Sequence, residues 1–248
     1  VSVPARAFGV VVCAVMAATQ PCRAQGSDDT LKAFAVHVAR TPLPDWGTGA
    51  GIYLGGGLVL TAAHVVGHSW LTRPRVVVGT VSYAARALKE GRFEQTDLTL
   101  LAMESEALPQ RLRLRRLALC GGDSRPGEDV ISVTPETTVH TRILAPEQLP
   151  PDVRRFNTVM AEAARTGNSG SGVFDARRRC LLGIVSRKIS LPGPRSDHGR
   201  AAPRDIAKYF VPASAIAAFL PVGVDIPIAP ADDRWPLSSS RSSSRFSR

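Results

Sequence analysis

Arg165-Thr166-Gly167-Asn168-Ser169-Gly170-Ser171-Gly172-Val173-Phe174 is the stretch from which the rest of this chain can be read. Small residues crowd it, and a β-branched residue and an aromatic close it. Glycine lets a backbone take positive φ and leaves room for a second molecule to approach the main chain. A turn with no chemical task has the same composition, so the meaning of the stretch depends on what precedes it.

Two earlier stretches supply that context. Leu60-Thr61-Ala62-Ala63-His64-Val65-Val66 ends a β-rich run on small alanines and a histidine. Small neighbours leave space around an imidazole, whose ordinary titration near neutral pH suits a general base. Thr96-Asp97-Leu98-Thr99-Leu100-Leu101 opens an apolar run on an aspartate, either as a turn cap or as a carboxylate half-buried beside a core. Buried carboxylates are rare unless something pairs with them. A hydroxyl becomes a useful nucleophile when a base removes its proton, and the base works best when a carboxylate fixes its tautomer. The order His64, Asp97, Ser169 therefore reads as base, orienting acid and nucleophile. The amides of Gly167 and Ser169 can face a substrate carbonyl, and one such donor is typically worth about 10²–10³ in rate.

The surrounding chain reads as all-β. Residues 31–38 alternate apolar and polar, and Gly55-Gly56-Gly57 separates two β-rich runs as a hairpin turn. Further short runs lie at residues 75–81, 98–103, 129–134, 158–161, 171–174 and 181–186, punctuated by Gly and Pro. Barrels or a sandwich follow from that pattern. The one strong helical candidate spans 212–220, with Pro212 at its start and Ile216, Phe219 and Leu220 on one face. Residues 188–208, rich in Pro, Gly and charge, read as a long exposed loop. The Ser/Arg tail at 230–248 cannot bury a core and reads as disordered.

At this point the chain resembles the chymotrypsin-like (trypsin-fold) serine peptidases of bacterial type. Thr61-Ala62-Ala63-His64 matches the family's histidine motif, and residues 97–101 resemble its aspartate-led strand. Gly167-Asn168-Ser169-Gly170-Ser171 looks like its nucleophile motif, and Gly183-Ile184-Val185-Ser186 is similar to the strand that carries substrate backbone past the site. The resemblance implies two perpendicular β-barrels, at 31–115 and 116–222, with the site between them and a terminal helix outside. It implies an endopeptidase acting on protein or peptide through His64, Asp97 and Ser169, with no metal or cofactor. The α/β-hydrolases and subtilisin-like enzymes order their triads differently.

The departures bear on specificity and partners. No aspartate stands at Ala163 and Ala164, where the resemblance places the pocket floor, so a preference for Lys or Arg is not implied. Asn168 replaces the aspartate that captures a freshly cut N-terminus in digestive trypsins. The resemblance is to bacterial-type relatives without the C-terminal peptide-binding domain that stress proteases carry, so no such domain is expected. After Ser186 the family usually has an aromatic and a glycine; here Arg187 and Lys188 follow, either as plain surface cations or as groups that narrow the pocket or favour acidic substrates. The other reading of the chain is a low-turnover binding protein on the same fold, docking an anionic partner on its basic surface.

Compartment follows from the first residues. Arg6, the apolar run 7–18 and the small-residue exit at Cys22-Arg23-Ala24 read as a secretory signal over 1–24, which implies a secreted or periplasmic product. No other run is long and apolar enough to span a membrane. Loss of Arg6 and Arg23 takes the 31 basic residues to 29 against 21 acidic ones, so +10 becomes +8. No nucleic-acid module or interleaved aromatic pattern accompanies that charge, so no nucleic acid is expected as partner. Cys120 and Cys180 remain, as one disulfide or as two buried thiols. Some relatives bridge the equivalent strands, which implies the disulfide.

Overall fold

Helix α1 (Gln25–Lys32) leads into six strands: β1 (Ala35–Ala39), β2 (Gly49–Gly55), β3 (Leu58–Thr61), β4 (Arg75–Val78), β5 (Val81–Glu90) and β6 (Thr99–Met103). The computed structural model describes residues 25–41, 49–151, 154, 158–161, 168–191, 195–196, 199–200 and 204–231. The leader 1–24, Ala163, Ala164, Gly167 and the tail beyond residue 231 therefore lie outside the described residues. The six strands pair antiparallel in the order β1-β2-β3-β6-β5-β4, and β4 returns to β1 to close a barrel. Every residue of β2 is buried, as a strand must be when both its faces meet packed side chains. The turn into β3 takes φ of +112°, +59° and +81° at Gly55, Gly56 and Gly57, a path only glycine follows without strain. Short helices α2 (Ala63–Val66), α3 (Ser69–Thr72) and α4 (Gln110–Arg113) fill the connections.

Ten further strands follow among the described residues. They are β7 (Leu119–Cys120), β8 (Asp129–Val133), β9 (Thr138–Arg142), β10 (Val159–Met160) and β11 (Gly172–Asp175). Then come β12 (Leu181–Leu191), the small pair β13 (Arg195–Ser196) and β14 (Gly199–Arg200), β15 (Arg204–Pro212) and β16 (Ile228–Ala229). The main path runs β10-β15-β12-β11-β8-β9. Ile143, just past β9, bridges Met160 in β10, Leu144 N–H donates to Val159 C=O at 2.8 Å, and Ala161 N–H to Arg142 C=O at 3.0 Å. Those bonds close the second sheet into a barrel. Helix α5 (Ala213–Phe219) packs Ile216 and Phe219 onto a core that joins both barrels, where Ile52, Leu54, Leu60 and Leu100 meet Ile131, Phe174, Leu181 and Ile184. Burying a side chain of that size is worth roughly 1.5–3 kcal/mol, so this shared layer holds the two barrels as one body.

The expected all-β, two-barrel architecture with a terminal helix is present, and two local expectations change. Residues 31 and 32 belong to α1, and the strand begins only at Ala35. Asp28 draws the helix down by accepting from His140 Nε2 at 2.6 Å and from Arg179 Nη1 at 2.9 Å, and Leu31 is buried beneath it. Long-range contacts override the local alternation there. Residues 188–208 are not a simple exposed loop, because β12 continues to Leu191 and β15 starts at Arg204, pairing across a long hairpin. Ile189 and Ala207 are buried in that hairpin with Leu149 and Val159, while Lys188 and Asp205 pair across its exposed side.

Cys120 and Cys180 form a disulfide whose Cα atoms lie 5.0 Å apart across a sequence separation of 60 residues. Closing a loop of that length removes unfolded-chain entropy worth about 4 kcal/mol at room temperature in the chain-entropy account. Replacing both cysteines by alanine should lower the free energy of unfolding in urea by roughly that amount. An unchanged midpoint and slope would show that the bridge adds nothing.

Candidate active site

Thr61 ends β3 and donates from its hydroxyl to the Ala50 carbonyl at 2.6 Å, which holds the strand end against β2. Buried Ala62 and Ala63 carry no bulk, so α2 turns within one residue and sets His64 at its head with 32% of the side chain exposed. Asp97 precedes β6 and is 1% exposed. His64 Nδ1 lies 2.8 Å from Asp97 Oδ2, and the His64 amide donates to Oδ1 at 3.1 Å. An ionised carboxylate only accepts, so the first contact assigns the proton to Nδ1 and leaves Nε2 as the acceptor in the neutral ring. Ser186, from the second barrel, donates its hydroxyl to Oδ2 at 2.6 Å. Burial pushes the Asp97 pKa up. The bonds from the His64 ring, the Ser186 hydroxyl and the His64 amide outweigh it and hold the carboxyl below its ordinary range.

Ser169 stands at a tight turn into β11. Ser171 N–H donates to Asn168 C=O at 3.1 Å, and the Gly170 amide to Val185 C=O at 2.8 Å. The first barrel grips this turn directly, because Ala50 N–H donates to the Ser169 carbonyl at 2.8 Å. Gly49 lies between them: a Cβ there would meet Val65 at 2.6 Å and the Ser169 carbonyl at 2.9 Å. The residue after His64 and the backbone of Ser169 are thus one side chain's width apart.

Gly170 carries φ of +85°, and a Cβ on it would be driven into the Ala50 carbonyl and the Thr61 hydroxyl. Gly170→Ala should therefore destabilise the fold by on the order of 4 kcal/mol, through strain and overpacking together. Thermal unfolding within a degree of wild type would contradict that packing.

Of the residues singled out in the sequence, the structure brings His64, Asp97 and Ser186 into direct contact and seats Ser169 on the same barrel junction. Ser186 was expected on the substrate strand; its hydroxyl also caps the buried carboxylate. Arg187 and Lys188 follow it on β12; Lys188 pairs with Asp205 at 3.2 Å. Phe93 went unnoticed in the sequence. Its ring and the His64 ring meet at 5.3 Å between centroids in a T-shaped contact, and the Arg187 guanidinium carbon lies over the Phe93 ring at 4.4 Å. A lone aromatic in the polar run Gly91–Gln95 was the available signal, since loops on a rigid frame often carry function. Among the described residues, no group of three His, Cys, Asp or Glu side chains gathers to hold a metal ion. No helix among them is long and apolar enough to cross a membrane.

A sequence profile of the trypsin-like peptidase domain matches residues 47–184. No curated protein matches the sequence significantly. Among solved structures, the Rv3671c protease from M. tuberculosis in its active form superposes with a TM-score of 0.54. It is 18% identical over 82% of this chain and 86% of that one. The serine endoprotease from Yersinia pestis gives a TM-score of 0.51 at 19% identity, over 76% of this chain and 61% of that one. At such identities these likenesses are ones of fold.

Proposed function

The chain belongs to the trypsin-like peptidase family, and on that premise we propose that it is an exported serine endopeptidase whose nucleophile is Ser169, with His64 as base and Asp97 as orienting acid. One observation carries the reading: His64 Nδ1 is bound to a fully buried carboxylate that a second-barrel serine also holds. That arrangement has no use in a packed core, where an ion costs several kcal/mol to bury, and it is what a proton-shuttling imidazole requires.

The chemistry follows from the assigned proton. His64 Nε2 takes the hydrogen of Ser169 Oγ as the oxygen attacks the substrate carbonyl, and Asp97 stabilises the imidazolium that forms. The Gly170 amide is committed to Val185, so the Ser169 amide and that of Gly167 are the donors assigned to the oxyanion. The C–N bond then breaks as the imidazolium returns its proton to the leaving amine. Water repeats the cycle on the acyl-enzyme, freeing the new carboxylate and restoring Ser169. Two barrels over 31–115 and 116–222 would each supply part of this set. Export is supported by the leader pattern at 1–24 and by the Cys120–Cys180 bridge, which an oxidising compartment preserves.

A fluorophosphonate probe tests the assignment. It should phosphonylate Ser169 Oγ with loss of fluoride, peptide mapping should place the adduct there, and Ser169→Ala should abolish it. An adduct on another residue, or one that persists in the variant, would overturn the assignment.

A further inference from the structure

Arg187 is held in a fixed place beside the reacting groups. Its guanidinium lies 4.4 Å from the Phe93 ring centroid and 5.8 Å from that of Tyr209, and Nη2 donates to the Phe93 carbonyl at 2.8 Å. Phe93 in turn lies against His64. The guanidinium is thus within about 10 Å of the imidazole, a distance an extended peptide covers in about three residues. Lys188 follows on β12 and pairs across the ladder with Lys208 on β15, which is only 1% exposed. Asp205 meets Lys188, and the Asp97 carboxylate is enclosed by its three hydrogen bonds.

We propose that Arg187, stacked on Phe93, selects substrates that carry an aspartate or glutamate side chain within about three residues of the cleaved bond. A guanidinium stacked by its face still offers edge N–H groups to a carboxylate, and its planar fork loses little freedom in binding one. The stack on Phe93 holds that fork in place before substrate arrives, so its direction costs nothing further on binding. The selection rests on the peptidase reading above. Arg187 touches substrate side chain here and not the reacting atoms, so it sets specificity.

Matched peptides differing only by Asp or Asn at each of the three positions on either side of the bond isolate charge from shape. The full chain should cleave the Asp member roughly fivefold faster by kcat/KM at one position or more, and the ratio should shrink as salt rises. Arg187→Glu should turn the preference toward Lys at the same position, while Arg187→Lys should keep the acidic preference in weakened form. Fluorophosphonate labelling of Ser169 is measured alongside. Equal ratios in the wild type with labelling intact would overturn the selection alone. Absence of labelling in the wild type would overturn the catalytic reading and the selection with it.

Discussion

Replacing Ser169 with alanine is expected to lower kcat by about 10⁶, because a triad acts as a unit and loses nearly all its advantage with its nucleophile. The fold should survive, since the contacts that fix this turn are made by backbone: the Ser169 carbonyl to Ala50, the Gly170 amide to Val185 and the Ser171 amide to Asn168. Residual turnover should still exceed the uncatalysed rate by about 10³, from the oxyanion donors and substrate binding alone. Ser171→Ala is the control that separates the two serines of the motif. The Ser171 hydroxyl is buried and makes no hydrogen bond, so its loss should change kcat by no more than a few fold. Steady-state cleavage of an unstructured protein substrate reads both. Turnover above one part in about 10² in Ser169→Ala would point to another nucleophile.

Asp97→Asn should cost about 10⁴ in kcat with the native fold retained. Asp97 accepts from three donors: the His64 ring, the His64 amide and the Ser186 hydroxyl. An amide offers one oxygen and one NH₂, so at least one of those donors would face another donor, and the imidazole would take the wrong tautomer or turn away. The same change should show in stability against pH. The folded carboxyl titrates below its unfolded value, so unfolding takes up a proton as the pH falls between the two. The stability that Asp97 contributes is therefore complete above the ordinary carboxylate range and is lost as pH falls through the depressed folded value. Asp97→Asn should lack that part of the acid slope in urea titrations. An unchanged slope together with near wild-type turnover would remove Asp97 from the site.

How much of this could be read from the chain depended on whether a residue's task was local. The turn at Ser169 and the hairpin at Gly55 to Gly57 are set by glycine at positions that need it, so both were legible. His64 and Asp97 stood out because small residues and an apolar run bracket them. The part played by Ser186 was hidden, since nothing in its neighbours says that its hydroxyl crosses to the other barrel to reach Asp97. Phe93 was hidden for the same reason, as its partners lie 29 positions before it at His64 and 94 positions after it at Arg187. Helix α1 escaped notice because its docking depends on His140 and Arg179, far along the chain. The long hairpin of β12 and β15 was obscured by the charge and proline between its arms.

On the proposed assignment, the grip of Ala50 on the Ser169 carbonyl, with that of Ser186 on Asp97, would govern when this chain can act at all. A nascent chain whose first barrel has folded holds an imidazole and a carboxylate but no hydroxyl for them to activate. Domains fold as units in the order they are made, so that harmless stage precedes the finished one during synthesis. On the proposed assignment, peptide cleavage would begin only at the last docking event. Recovery of activity after dilution from denaturant would accordingly time the joining of the halves, lagging behind the return of β-structure in either.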